Sequence, residues 1–256
     1  VTAEVKILRT EEDGIRRYVT PNGELKSVTT FQQLLSKPAL VPWAAKMTAE
    51  YFKDELDAII TGELDIRNTD LEELVKNAKA HYKKKSEEAM EYGTAVHGFV
   101  TEFFAFGALP EDPVMAKLVV AAVSKITGEL GMTVTATEKV VYYKSMYAGT
   151  LDINGVGKPS GHSTQKNIIV DIKTGRGRVY DEALQQVSAY ALAWESMFGA
   201  PVDLAVILPL NKDTGEAGDL VYLPRRKWKK YAKSFIALCR YSAEIDKCKA
   251  DRKKKK

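Results

Sequence analysis

Residues 168–178 read IIVDIKTGRGR. Ile168, Ile169, Val170 and Ile172 make a short β-branched run of the kind that fills a buried strand. The same strand carries Asp171 and Lys173, and a charge in a core strand costs several kcal/mol unless a partner offsets it. Residues two apart on a strand share a face. The carboxylate and the ammonium therefore emerge side by side, while Ile172 points the opposite way into the core. The fold must bury one side of this strand and give the other a use for two charges. The turn that follows presents Arg176 and Arg178, whose guanidinium forks suit phosphate oxygens.

The rest of the chain supplies the surroundings. The opening reads as a hairpin: IRRYV, a turn at TPNGEL, then KSVTTF. A mostly helical stretch from Thr29 to Leu64 follows, broken around Pro38 and Pro42. Residues 70–107 are helical in period, with Gly93, Val96, Val100 and Phe104 recurring at three- and four-residue spacing. Residues 114–130 form a third long helix. The pattern changes near residue 132: MTVTATEKVVYYKS and MYAGTLDING are strand-like, and a polar turn leads into IIVDIKT. A helix over roughly 180–198, the buried strand VDLAVILPL, a turn, and DLVYL complete a β-β-β-α-β core. A basic amphipathic helix comes last, with an apolar stripe of Trp228, Tyr231, Phe235, Leu238 and Ile245. The expectation is an α/β fold in one domain over 1–250. It comprises a mainly helical part (1–131), an α/β core (132–224) and a basic helix (225–250), with a disordered basic tail at 251–256.

With 45% apolar residues a sizeable core is available. No apolar run approaches the ~18–20 residues that span a bilayer, so no membrane association is expected. Two cysteines are too few for a disulfide framework or a four-thiolate cluster. Two reduced thiols in a cytoplasmic protein is the expectation, with an organelle left open because the chain does not begin with Met. Residues 225–256 hold 14 Lys/Arg against 3 Asp/Glu, a net of +11, whereas the first 224 hold 24 against 31, a net of −7. A basic terminal segment on an acidic body points to a polyanionic partner; the final RKKKK alone reads as a solubilising tail.

Several further residues could carry chemistry. His97 shares a helix side with Gly93, Val100 and Phe104 and so faces inward, as a core histidine or as a ligand. Asp152 lies between Leu151 and Ile153, as a strand-end carboxylate turning into Asn154-Gly155 or as a functional acid. With Asp171 it could hold Mg²⁺, which takes one or two carboxylates, waters and phosphate oxygens. Lys173 could then hold or deprotonate a water, or offset charge on a reacting phosphate. Gln186 and Tyr190, four apart, share a helix face; Gln185 is the competing register. Glu138 and Glu102 are secondary candidates, better read as solvated or structural acids.

In chain order, G-x-x-x-H (Gly93, His97), A-G-T-x-D (Ala148 to Asp152), D-x-K (Asp171, Lys173) and Q-x-x-x-Y (Gln186, Tyr190) resemble the RecB-type exonuclease branch of the PD-(D/E)xK nuclease superfamily. The stretch YVTPNGELKSVTTFQQLLSKPALVPWAAK also resembles the N-terminal part of phage and mitochondrial exonucleases of that branch. The resemblance covers roughly residues 15–210. It implies a restriction-endonuclease-like core, a small mixed sheet flanked by helices, and metal-dependent hydrolysis of DNA phosphodiesters. It also implies His97, Asp152, Asp171 and the Ile172 carbonyl as ligands to one or two Mg²⁺ or Mn²⁺ ions. Lys173 would be the catalytic lysine, and Gln186 and Tyr190 active-site or DNA-positioning residues; Arg176 and Arg178 are the expected DNA contacts from the chemistry of their turn. Several relatives hold an iron–sulfur cluster on four cysteines; Cys239 and Cys248 alone exclude one here.

The expectation is an exonuclease acting on single-stranded DNA or duplex ends in phage or cellular recombination, repair or replication, with a recombination or replication protein as a partner and the oligomeric state open. The alternative is a catalytically silent DNA-binding module that retains the nuclease fold. A hydrolase of small phosphoesters finds no support, because TGRGR lacks the phosphate-cradling G-x-x-x-x-G-K-[ST] pattern.

Overall fold

The computed structural model describes residues 7–12 and 15–254. The chain divides into two compact units, one of residues 1–35 with 95–256 and the other of residues 36–94. The first begins with an antiparallel meander: β1 (Leu8–Glu12), β2 (Ile15–Thr20) and β3 (Gly23–Lys26). The second strand of the expected hairpin stops at Lys26 rather than running through Phe31. Ser27 ends it by accepting a hydrogen bond from the Thr30 N–H, which caps the short helix α1 (Val28–Gln32).

The second unit holds helix α2 (Leu40–Ile60) and the first part of helix α3 (Leu71–Phe106), which continues into the first unit. Within it, Tyr51 lies against His81 at 5.2 Å between ring centroids. Helix α4 (Pro113–Val123) opens on an Asp112 cap that accepts from the Met115 N–H, then passes into a π-helical turn over Ser124–Glu129.

The core of the first unit is a six-stranded mixed sheet in the order β4-β5-β6-β7-β8, with β9 also paired to β7. Its strands are β4 (Met132–Tyr143), β5 (Tyr147–Gly157), β6 (Lys166–Gly175), β7 (Leu204–Asn211), β8 (Glu216–Ala217) and β9 (Val221–Pro224). Only β6 and β7 run parallel, joined through helix α5 (Asp181–Phe198). Strands covered on both faces read as continuous apolar runs, and these two are the examples. Ile168, Ile169, Val170, Val206, Ile207, Leu208 and Leu210 are fully buried.

Helix α6 (Arg225–Lys254) packs on α5 through Trp228, Ala232, Phe235 and Cys239, all buried. Its first turn is fastened to the end of α5, where Glu195 takes an ion pair from Arg225 and accepts the Val202 N–H at 2.8 Å. Burial pushes the Cys239 thiol up to about 12, whereas Cys248 is exposed. Maleimide at pH 7.5 is therefore expected to label Cys248 and leave Cys239 unmodified until the protein is unfolded, with mass spectrometry locating the adduct.

Candidate active site

Cross-strand register builds the site. Strands β5 and β6 pair from Gly157–Lys166 up to Ile153–Val170. One step further the same register sets Asp152 against Asp171, and there the ladder ends. The Ile172 N–H donates instead to Asp152 Oδ2 at 2.6 Å. Asp152 is thus mid-strand, not at a strand end: β5 runs on to Gly157. Asn154 does not begin a turn either, because its amide donates across to Asn167 Oδ1 at 2.8 Å and to the Ile168 carbonyl at 3.1 Å.

On the other side of β5, the pairs Thr137–Ile153 and Lys139–Leu151 flank Glu138. Glu138 therefore falls opposite Asp152, and Glu138, Asp152 and Asp171 form one row across three adjacent strands. His97 reaches the row from α3, with Nδ1 3.4 Å from Asp152 Oδ1. Ligand atoms of His97, Glu138 and Asp152 all lie within 4.8 Å of one another. Glu138 adopts φ +46°, a left-handed conformation for a residue with a side chain. Such strain costs about 1–3 kcal/mol and collects at functional positions.

Asp171 stands outside that group of three. It is fully buried, and neither carboxylate oxygen receives a hydrogen bond of good geometry, although Oδ2 lies 2.8 Å from Lys173 Nζ. Lys173 Nζ also donates to Gln186 Oε1 at 3.0 Å, and Gln186 Nε2 donates to the Tyr190 hydroxyl at 3.0 Å. Asp171, Lys173, Gln186 and Tyr190 are one connected line, and Gln186 is the register that joins it. Gln185 points elsewhere, toward Ser234 Oγ at 3.1 Å.

Gly149 explains part of the A-G-T-x-D stretch physically. A Cβ there would sit 2.5 Å from Tyr190 Cε1, so only glycine lets the ring lie against β5. Gly149→Ala should destabilise the protein by about 1–3 kcal/mol through overpacking, read as a lower urea midpoint at unchanged slope. Tyr190→Phe, which keeps the ring, should shift it less.

The charges hold one another. Burial pushes the Asp171 carboxyl up to about 6, against the opposing pull of Lys173. Burial also works to raise Asp152, but the charge and hydrogen bond of His97, together with Lys173 and the Ile172 N–H, outweigh it and hold Asp152 below its ordinary value. Burial alone would lower His97 and Lys173, yet Asp152 raises the first and Asp171 the second above their ordinary values. Burial, then the two aspartates, lift the Tyr190 hydroxyl well above its ordinary range.

The Asp171 shift gives a signed expectation. Its folded value exceeds its unfolded one, so its contribution to stability is full below about 4 and is lost as pH rises through about 6. In EDTA, the melting temperature of the wild type minus that of Asp171→Asn should fall between pH 4 and 7. A flat difference would contradict the buried, poorly solvated carboxylate.

Arg176 and Arg178 are both exposed on the turn after β6, and Arg176 pairs with Asp213 at 3.1 Å. Neither is held in the line of site residues. Ile172 directs its side chain into the core, 2% exposed. Glu102 is exposed. Glu138 is the residue that the sequence reading set aside and the structure brings in: its place depends on pairing register, which no local spacing reveals.

A carboxylate row with an imidazole is a hard donor set of the kind that suits Mg²⁺ or Mn²⁺. Asp171 Oδ1 fits the same purpose: Oδ2 is paired to Lys173, and Oδ1 is left buried without a hydrogen bond among the described residues. Among the described residues no helix is long and apolar enough to cross a membrane.

No protein-family model matches the chain. No curated protein matches it by sequence either. Among solved structures, the crystal structure of an alkaline exonuclease from Laribacter hongkongensis is similar at a TM-score of 0.31 and 13% identity, over 60% of this chain and 84% of that one. At that score the likeness carries no functional inference.

Proposed function

We propose that the chain is a Mg²⁺- or Mn²⁺-dependent deoxyribonuclease of the PD-(D/E)xK type, RecB-like branch, hydrolysing phosphodiester bonds as an exonuclease on single strands or duplex ends. The observation that carries this reading is the buried Asp171, paired to Lys173 through Oδ2 with Oδ1 left without a hydrogen bond, set by register against Asp152 and tied through Lys173 to Gln186. A structural ion pair would not need a second acid, an imidazole and a strained third acid beside it.

Asp152, His97 and Glu138 would hold an ion, with Asp171 and the Ile172 carbonyl completing its surroundings. When bound, such an ion polarises a phosphoryl oxygen and lowers the pKa of water. Lys173 remains an ammonium under the influence of two carboxylates, which suits it to orient a water by donation and to offset charge building on the phosphate. Gln186 fixes the ammonium's direction, and Tyr190 fixes Gln186. Arg176 and Arg178 would meet backbone phosphates approaching the open side of the turn. DNA recombination, repair or replication is the setting this reading fits, with the whole chain acting as one nuclease domain.

Digestion of end-labelled DNA, single- and double-stranded, linear and circular, with Mg²⁺ and Mn²⁺, tests the reading. Loss of linear substrates with survival of circles is expected. Cleavage of circles would replace exonuclease by endonuclease. DNA binding without hydrolysis under either ion would leave a silent module.

A further inference from the structure

We infer that the outer face of α6 is a track for the DNA sugar-phosphate backbone, an inference that rests on the nuclease reading and names a second contact surface for its substrate. At 100° per residue, Arg226, Lys229, Lys230, Lys233 and Arg240 fall within about 60° of one line along the helix. The opposite line is the buried stripe of Trp228, Ala232, Phe235 and Cys239. The stripe locks the helix in rotation, so the cations are held outward rather than free to turn. All five are exposed. Lys229 lies 3.9 Å from Glu195, and the other four form no ion pair among the described residues.

No acid interrupts this face between Arg226 and Glu244. The residue between Lys233 and Arg240 on the line is Ala237, small enough to let a backbone approach. From Arg226 to Arg240 the rise is about 21 Å, the length of about six base pairs at 3.4 Å each.

The helix also begins against its own dipole. Arg225, Arg226 and Lys227 occupy a first turn that holds no acid, where cations are unfavourable by about 0.3–1 kcal/mol each. Glu195 offsets this for Arg225 alone in that turn. A polyanion outside would offset the rest. A line of outward cations without acids matches a regularly charged polyanion. The apolar stripe of α6 is already buried within the protein and has no free face to enter a membrane, which favours the substrate's own backbone.

The test is the full chain with Arg226→Gln, Lys230→Gln, Lys233→Gln and Arg240→Gln combined. Binding of a fluorescent duplex with a single-stranded tail is measured by anisotropy in EDTA, over a range of KCl. All four residues are exposed, so the variant should melt with the wild type. The slope of log affinity against log salt should become shallower by about 3–4, near 0.9 per lost phosphate contact, with affinity at 100 mM KCl at least tenfold weaker. Hydrolysis of bis(p-nitrophenyl) phosphate, too small to reach the track, should be unchanged. An unchanged slope overturns the track, and it does so whether or not the wild type is a nuclease. A shallower slope in a protein that hydrolyses nothing would keep the track and remove the nuclease reading. Unchanged DNA binding with lost adhesion to phosphatidylserine vesicles would assign the face to membranes instead.

Discussion

Lys173→Ala should reduce the single-turnover rate of DNA hydrolysis by about 10³-fold, the effect of removing one preorganised charge-stabilising group from an active site. The substitution removes the ammonium that sits 2.8 Å from Asp171 and 3.0 Å from Gln186. Because the proposed phosphate contacts lie elsewhere, on the Arg turn and along α6, DNA affinity in EDTA should stay within about threefold. The variant leaves Asp171 buried without its partner, so its melting curve must be recorded beside the rates. Lys173→Ala combined with Asp171→Asn removes both charges and separates the two effects. A folded double variant with full activity would take the chemistry away from this strand.

Trp228→Ala carries the largest expected loss of stability. Trp228 is fully buried between α6 and the strands, and its indole N–H donates to the Val202 carbonyl at 3.2 Å. Emptying an aromatic site of this kind costs about 3–5 kcal/mol, and the orphaned carbonyl adds about 1–3 kcal/mol. The melting temperature should fall by several degrees or more, with α6 exposed to proteolysis first, since Trp228 and Phe235 are its main anchors on α5. Trp228→Phe, which keeps most of the volume and loses the hydrogen bond, should fall between the two. Equal melting of all three proteins would mean that α6 is not a packed part of the fold.

Much of the core is legible in the residues because burial on both faces leaves a strand few choices. IIVDI and LAVILPL read as strands for that reason, and the charges inside the first stand out against it. Asp171 with Lys173, and Gln186 with Tyr190, are legible as pairs from the two-residue strand repeat and the four-residue helix repeat, whereas the hydrogen bond from Lys173 to Gln186 that joins them is a contact between β6 and α5. What depends on pairing between distant segments is not legible. Glu138 belongs with Asp152 through antiparallel register and a left-handed backbone, and neither leaves a local mark. The division near Thr94 is equally silent, because α3 runs through it with unbroken helical period and no linker composition. The meander strand that stops at Lys26 was decided by one side-chain cap on Ser27, which competed with a β-rich pattern and won.

Hydrolysis of a 5′- or 3′-labelled linear oligonucleotide by the wild type and by Asp152→Asn, with Mn²⁺ and with EDTA, tests the central claim most directly. Asparagine keeps the shape of the residue and an oxygen for the Ile172 N–H, and it removes the charge that His97 and a cation would share. The expected result is cleavage by the wild type with Mn²⁺, none with EDTA, and a rate about 10³-fold lower in the variant with its fold intact. Cleavage that persists in EDTA, or an Asp152→Asn protein as active as the wild type, would contradict it.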